Sequence, residues 1–156
     1  MKKFVQNKLK DQKGMTLIEL LAVIVIIAII AAIAIPAIGN IIDNSRVGAI
    51  KSDANNALSA ASLYQTDFPE AASVTQAELE DGGYLEEVGS FGDATAVEFV
   101  INLEDMLVTS GTGVVGAVSV AFAGADRTAI NGTPNNSEGA VLTAVHGGVG
   151  TLTITR

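Results

Sequence analysis

The stretch KGMTLIELLAVIVIIAIIAAIAIP, residues 13–36, decides how this chain is organised. From Leu20 to Ile38 all nineteen residues are Leu, Ile, Val, Ala or Pro. As a helix they would extend about 28 Å, close to the hydrocarbon thickness of a bilayer. The core helix of a soluble protein needs a polar stripe, and this run has none. The sequence therefore predicts a membrane-spanning helix with one carboxylate, Glu19, near its beginning.

The charges on either side of the run predict its orientation. The leader carries one acid, Asp11, against five lysines, Lys2, Lys3, Lys8, Lys10 and Lys13, which gives it a charge of +4. The positive-inside rule places such a leader in the cytoplasm and exports the chain beyond Ile38. Since the whole chain has a formal charge of −8, residues 15–156 carry −12.

The position of Gly14 differs from the cleavage site of an ordinary secretory signal. An ordinary signal has an apolar core of about 7–15 residues with small residues after it. Here the apolar run is longer, and Gly14 precedes it. A peptidase that cut at Gly14 would remove the basic leader and leave the apolar helix as the new N-terminus.

The octet KGMTLIEL, residues 13–20, together with the apolar run after it, resembles the class III signal of type IV prepilins and pseudopilins. The resemblance implies cleavage between Gly14 and Met15 and methylation of Met15, although the family more often has Phe at that position. It also implies four partners: the membrane before assembly, a prepilin peptidase/N-methyltransferase, an assembly platform with its ATPase, and further copies in a helical filament.

Glu19 needs a reason to lie in an apolar helix, because a carboxylate in hydrocarbon is costly. Cleavage would create an amine at Met15, one helical turn from Glu19. The pair could neutralise itself within one helix. In the family, the glutamate meets the N-terminal amine of a neighbouring subunit instead, in a low-dielectric bundle that strengthens the pairing. The alternative is that Glu19 snorkels to the cytoplasmic interface.

The helix is predicted to continue beyond the membrane. Pro36 lacks an N–H and predicts a loosened or kinked turn, to which Gly39 adds freedom. Apolar residues then recur on one helical face, and Pro69 ends the pattern. This face consists of Ile50, Ala54, Ala57, Leu58, Ala61 and Tyr64. We therefore expect a leader at 1–14, a transmembrane assembly helix at 15–38, an amphipathic continuation at 39–66 and a globular head at 67–156.

The head combines a short helix with strands. Thr75 and Glu78 form the pattern of a capping box, and Gly82-Gly83 closes the turn after it. TAVEFVINL (95–103), GAVSVAFAG (116–124), AVLTAV (140–145) and GTLTITR (150–156) are typical of strands. Three or four antiparallel strands could cover the helix. The predicted fold is α+β and type IV pilin-like, with a long N-terminal helix packed on a small antiparallel sheet.

The head offers no catalytic constellation, and no catalytic residue, metal ligand or cofactor is predicted. His146 has no obvious partner, and a lone histidine is more often structural. The polar segment 124–139 is predicted to be a surface loop. Its oxygen donors would allow calcium, but their spacing matches no defined calcium loop. These donors are Asp126, Asn131, Asn136 and Glu138. The acidic charge disfavours direct nucleic-acid binding.

The sequence is best interpreted as a structural subunit of a type IV pilus-like filament with adhesion or motility functions. It would be a single-pass membrane protein before processing and part of a surface pilus afterwards. Two alternatives stay open. The first is a pseudopilin of a competence or type II secretion machine, and the second is an unprocessed, membrane-anchored binding module.

Overall fold

A computed structural model describes residues 2–136, 144–145 and 149–156 of the chain, and for residues 2–16, 144–145 and 149–151 it describes the backbone only. The first element is helix α1, Lys2–Asp67. Internal contacts divide the chain into two units, Met1–Ile41 and Ile42–Arg156. The first unit is the apolar part of α1 with its leader. The second unit, which we call the head, contains the rest of α1 and every other element.

The C-terminal part of α1 is helical because its apolar residues recur at helical spacing and find a partner surface. All but one residue of the predicted apolar face are buried, and Tyr64 is half-buried. Val47 and Ala60 are buried as well. The helix ends at Asp67, directly before Phe68-Pro69. The predicted amphipathic face is confirmed.

The head places an antiparallel sheet beside this helix. Its strands lie in the order β1-β2-β3-β4-β6-β5. All neighbouring strands are antiparallel. The strands are β1 Ser73–Thr75, β2 Val97–Asn102, β3 Leu107–Val115, β4 Val118–Ala123, β5 Ala144–Val145 and β6 Val149–Thr155. The α+β, type IV pilin-like arrangement of a long helix packed on a small antiparallel sheet is thus confirmed.

The core lies between α1 and the sheet. Its largest ring cluster is Phe91, Phe99 and Phe122, with centroids 5.1 Å and 5.8 Å from Phe91. Gly113 on β3 makes the close approach possible, because a Cβ built there would lie 2.5 Å from Cγ2 of Ile50. The sheet therefore packs closely on the helix at a position where β3 has a glycine and no side chain.

Helix α2, Gln76–Asp81, begins with the predicted capping box. The Thr75 hydroxyl accepts a hydrogen bond from the Glu78 amide at 3.3 Å, and the Thr75 amide donates to the Glu78 carboxylate at 2.8 Å. Leu79, on the same helix, is buried. The pKa of Glu78 lies below its ordinary value, because the hydrogen bonds from Thr75 favour the charged form of the carboxylate.

The structure corrects three expectations about the head. Strands β1 and β3 were not among the predicted strands, so the sheet has more strands than the three or four predicted. Segment 124–139 is not a loop throughout, because it contains helix α3, Arg127–Gly132, capped by Asp126. Asp126 Oδ1 accepts from the Ala129 amide at 2.7 Å, which explains why the helix begins there.

Candidate assembly helix and processing site

The first unit presents an apolar surface in every direction. Each large apolar side chain from Leu17 to Ile38 is 48–70% exposed. Among the described residues, α1 is the one helix long and apolar enough to cross a membrane. Exposed apolar surface on all sides of a helix is stable in a bilayer or in a bundle of like helices.

Glu19 is an exposed side chain within this surface. It is the one ionisable residue from Leu17 to Ile42. Because the backbone is helical from residue 2 onward, positions 15 and 19 are one turn apart, about 6 Å along the axis. A carboxylate at position 19 could therefore pair with an amine at residue 15 of its own helix or with the same amine on a neighbouring helix.

Pro36 and Gly39 both lie inside α1, and the helical backbone continues through them. A Cβ added at Gly39 would have nothing within 4 Å. The flexibility expected at these two positions stays a prediction. The space around Gly39 means that no described contact requires a glycine there.

Residues 9–35 match the family described as the prokaryotic N-terminal methylation motif. This segment is similar to the N-terminus of a prepilin. This motif is characteristic of the class III signals of type IV prepilins and pseudopilins, which are processed by a peptidase and assemble into pilus-type filaments. The match covers the apolar run and the residues on both sides of Gly14, so the predicted resemblance is confirmed for this part of the chain.

Searches of curated proteins and of solved structures found no match for the chain. The assignment to a pilin or pseudopilin therefore rests on the prepilin-type motif, because no relative of the chain was found that would support it further. The motif and the apolar helix suggest membrane anchoring before assembly.

The predicted processing residues are placed by the backbone alone. Gly14 and Met15 lie within α1, but the structure does not describe the surroundings of their side chains. His146 and Glu138 lie outside the described residues. Of the other oxygen donors in segment 124–139, Asp126 caps α3, and Asn131 Oδ1 accepts from Asn55 Nδ2 at 2.9 Å. The described residues hold no group of three or more acidic or histidine side chains that could bind a metal.

A polar seam joins α1 to the segment around α3. Lys51 is buried, and its ammonium group donates to the Thr133 carbonyl and, at 2.8 Å, to Asn135 Oδ1. Arg156 donates to Asn44 Oδ1 at 2.6 Å and to the Asn135 carbonyl at 2.7 Å. The chain has no cysteine, so hydrogen bonds and not a disulfide hold this segment against α1. Burial lowers the pKa of Lys51.

The sequence did not single out an aromatic patch at the end of α1, formed by Tyr64, Phe68 and Tyr84. Tyr64 stacks on Phe68 at 4.6 Å and meets Tyr84 edge-on at 5.4 Å. The Tyr84 hydroxyl donates to Asp67 at 2.6 Å, and this bond raises the pKa of Tyr84. The aromatic residues were visible in the sequence, but their meeting depends on the turn after α2.

Proposed function

We propose that this protein is a structural subunit of a type IV pilus-like filament and not an enzyme. The observation that carries the proposal is the apolar helix, which bears a prepilin-type motif and exposes large apolar side chains on every side. Such a surface is stabilised by lipid before assembly and by neighbouring helices afterwards. The subunit would be cleaved after Gly14, methylated at Met15 and polymerised through this helix.

Glu19 gives the assembled state its register. In lipid an unpaired carboxylate is costly, whereas in a bundle it can meet the positive amine of Met15 on an adjacent subunit. A subunit that is misplaced along the bundle axis would leave both charges unpaired. The same charge therefore favours assembly and disfavours shifted packing.

Intact-mass measurement on membranes and on sheared surface material tests this proposal. We expect wild-type protein in both fractions, with a mass that begins at Met15 plus one methyl group. Glu19→Ala should be processed but absent from the sheared fraction, while Glu19→Asp, which keeps the charge, should retain part of the filament yield. Glu98→Ala removes an exposed carboxylate from the head and should behave as wild type.

Two outcomes would contradict the proposal in different ways. A mass that begins at Met1 or Lys2, with no sheared material, would indicate an unprocessed membrane-anchored module. Processed protein that stays with the membrane would indicate a short pseudopilus in place of a surface filament.

A further inference from the structure

The aromatic patch leaves its side chains partly exposed, whereas the other aromatic side chains of the head are buried in the core. The head has six aromatic residues, and three of them form the core cluster around Phe91. The other three form the patch, where Phe68 is 49% exposed and Tyr64 and Tyr84 are half-buried. Large aromatic surface left in contact with water is typical of a contact surface.

The charges around the patch define the chemistry of its partner. Asp67, Glu70 and Glu104 are exposed. Asp67 and Glu70 flank Phe68 in the chain, and Glu104 follows Leu103, whose carbonyl accepts from Gln65 on the last turn of α1 at 2.7 Å. No Lys or Arg occurs from residue 52 to residue 126. A guanidinium group fits this surface, because it stacks on aromatic rings and pairs with carboxylates.

The chain itself carries such a group in Arg127. The described side chains of the head include four cations, of which Arg46 pairs with Asp43, Lys51 is buried, and Arg156 is held by two hydrogen bonds. Arg127 is exposed, and among the described residues its hydrogen-bond acceptor is Ser59 Oγ, at 3.1 Å. It borders a cavity of about 210 Å³ that is also lined by Leu58, Ser62 and Met106.

Arg127 does not serve the patch of its own chain. Its hydrogen bond to Ser59 places it five residues, about 7.5 Å along the axis of α1, before Tyr64, and Phe68 lies beyond the end of α1. The exposed cation and the patch are therefore separate surfaces with complementary chemistry. A contact between two different surfaces of identical chains is heterologous, and it propagates into an open helical array when the rotation between subunits does not close a ring.

We propose that Arg127 of one subunit docks on the aromatic patch of a neighbouring copy in the filament. The guanidinium group lies over Phe68 or Tyr64 and pairs with the carboxylates of Asp67 and Glu70, while Leu58 and Met106 give it an apolar border. The contact rests on the proposed function, since it needs subunits held side by side. It adds specificity between heads to the packing of the apolar helices.

Disulfide cross-linking in assembled filaments tests the contact without altering Arg127. The chain has no cysteine, so introduced pairs report alone. Thr128→Cys combined with Glu70→Cys should give a ladder of oligomers without reductant, because Thr128 is the exposed neighbour of Arg127. The matched control is Thr128→Cys with Glu98→Cys, an exposed position on β2, and it should stay monomeric.

Charge exchange tests the same contact by function. Arg127→Glu should lower the sheared fraction about tenfold or more, since charge repulsion replaces a cation–π and ionic contact. Glu70→Arg should do the same, and the two changes together should restore the yield. Ser59→Ala removes the internal hydrogen bond of Arg127, together with the bond that the Ser59 hydroxyl donates to the Asn55 carbonyl, and should leave the yield unchanged.

The outcomes separate this contact from the proposed function. Wild-type filaments that give no ladder from the Thr128–Glu70 pair, or a normal yield from Arg127→Glu, would overturn the contact alone. A wild type that is cleaved at Gly14 but forms no filament would overturn the proposed function, and the contact with it. In every variant, an unchanged mass beginning at Met15 shows that processing was not affected.

Discussion

At the scale of single residues, Gly113 marks a close approach of the sheet to α1. A Cβ there would lie 2.5 Å from Cγ2 of Ile50 and 2.9 Å from Oγ of Ser90, so a larger side chain must displace the helix or the strand. We expect Gly113→Val to lower the free energy of unfolding by about 1–3 kcal/mol. Urea unfolding of the detergent-solubilised chain, followed by the fluorescence of its two tyrosines, both in the head, measures this. Gly132→Ala, which meets nothing within 4 Å, should change little, and equal effects would contradict the packing argument.

Lys51 gives the head a pH dependence of known sign. Burial lowers its pKa from the ordinary 10.5, so the unfolded chain binds more protons than the folded chain between the lowered value and 10.5. The contribution of Lys51 to stability therefore rises with pH through this window and is lost as pH falls through the lowered pKa. Thermal unfolding followed by circular dichroism, for wild type and Lys51→Met, should give a stability difference that shifts in favour of wild type as pH rises. The raised pKa of Tyr84 affects both proteins equally, so its contribution cancels in the stability difference.

At the scale of elements, helix α2 depends on its first residue. The six-residue helix is too short to be stable alone, and the capping box provides two of its hydrogen bonds. We expect Thr75→Ala to cost about 1 kcal/mol and to speed amide hydrogen exchange in α2. Thr75→Ser keeps the hydroxyl and should restore protection. Unchanged exchange in Thr75→Ala would mean that the buried Leu79 holds the helix without its cap.

The elements that could be predicted are those whose signals are local. The apolar run, the face of α1 and the capping box of α2 each lie within a few turns of chain, and each prediction is confirmed. Strand β3 was missed because Gly111 and Gly113 are typical of a loop, whereas in the fold they make room for Phe99 and Ile50. Helix α3 was missed because its segment was interpreted from its polar composition, and its hydrogen bond to α1, from Asn55 to Asn131 at 2.9 Å, joins residues far apart in the sequence. The cap by Asp126 was a local signal that could have revealed it.

The same distinction applies to the functional surfaces. The processing motif is contiguous, so residues 9–35 could be recognised without a fold. The aromatic patch joins Tyr64 and Phe68 to Tyr84 across the turn after α2, and Arg127 reaches Ser59 from far along the chain. Such surfaces exist only after the head has folded. The proposed contact between heads could therefore be inferred from the structure and not from the sequence.

At the scale of the whole molecule, the charge asymmetry predicts how the chain crosses the membrane. A leader of +4 should stay in the cytoplasm, while the acidic head is exported. Single cysteines at Gln6 and Ala94, introduced as Gln6→Cys and Ala94→Cys into a Gly14→Val background that keeps the leader, report the two sides. A membrane-impermeant maleimide should label the Ala94 position in intact cells and the Gln6 position only after permeabilisation. The cysteine-free parent should remain unlabelled, which removes background from the assay. Labelling of the Gln6 position in intact cells would reverse the orientation, and it would place Gly14 beyond the reach of a peptidase acting on the cytoplasmic side.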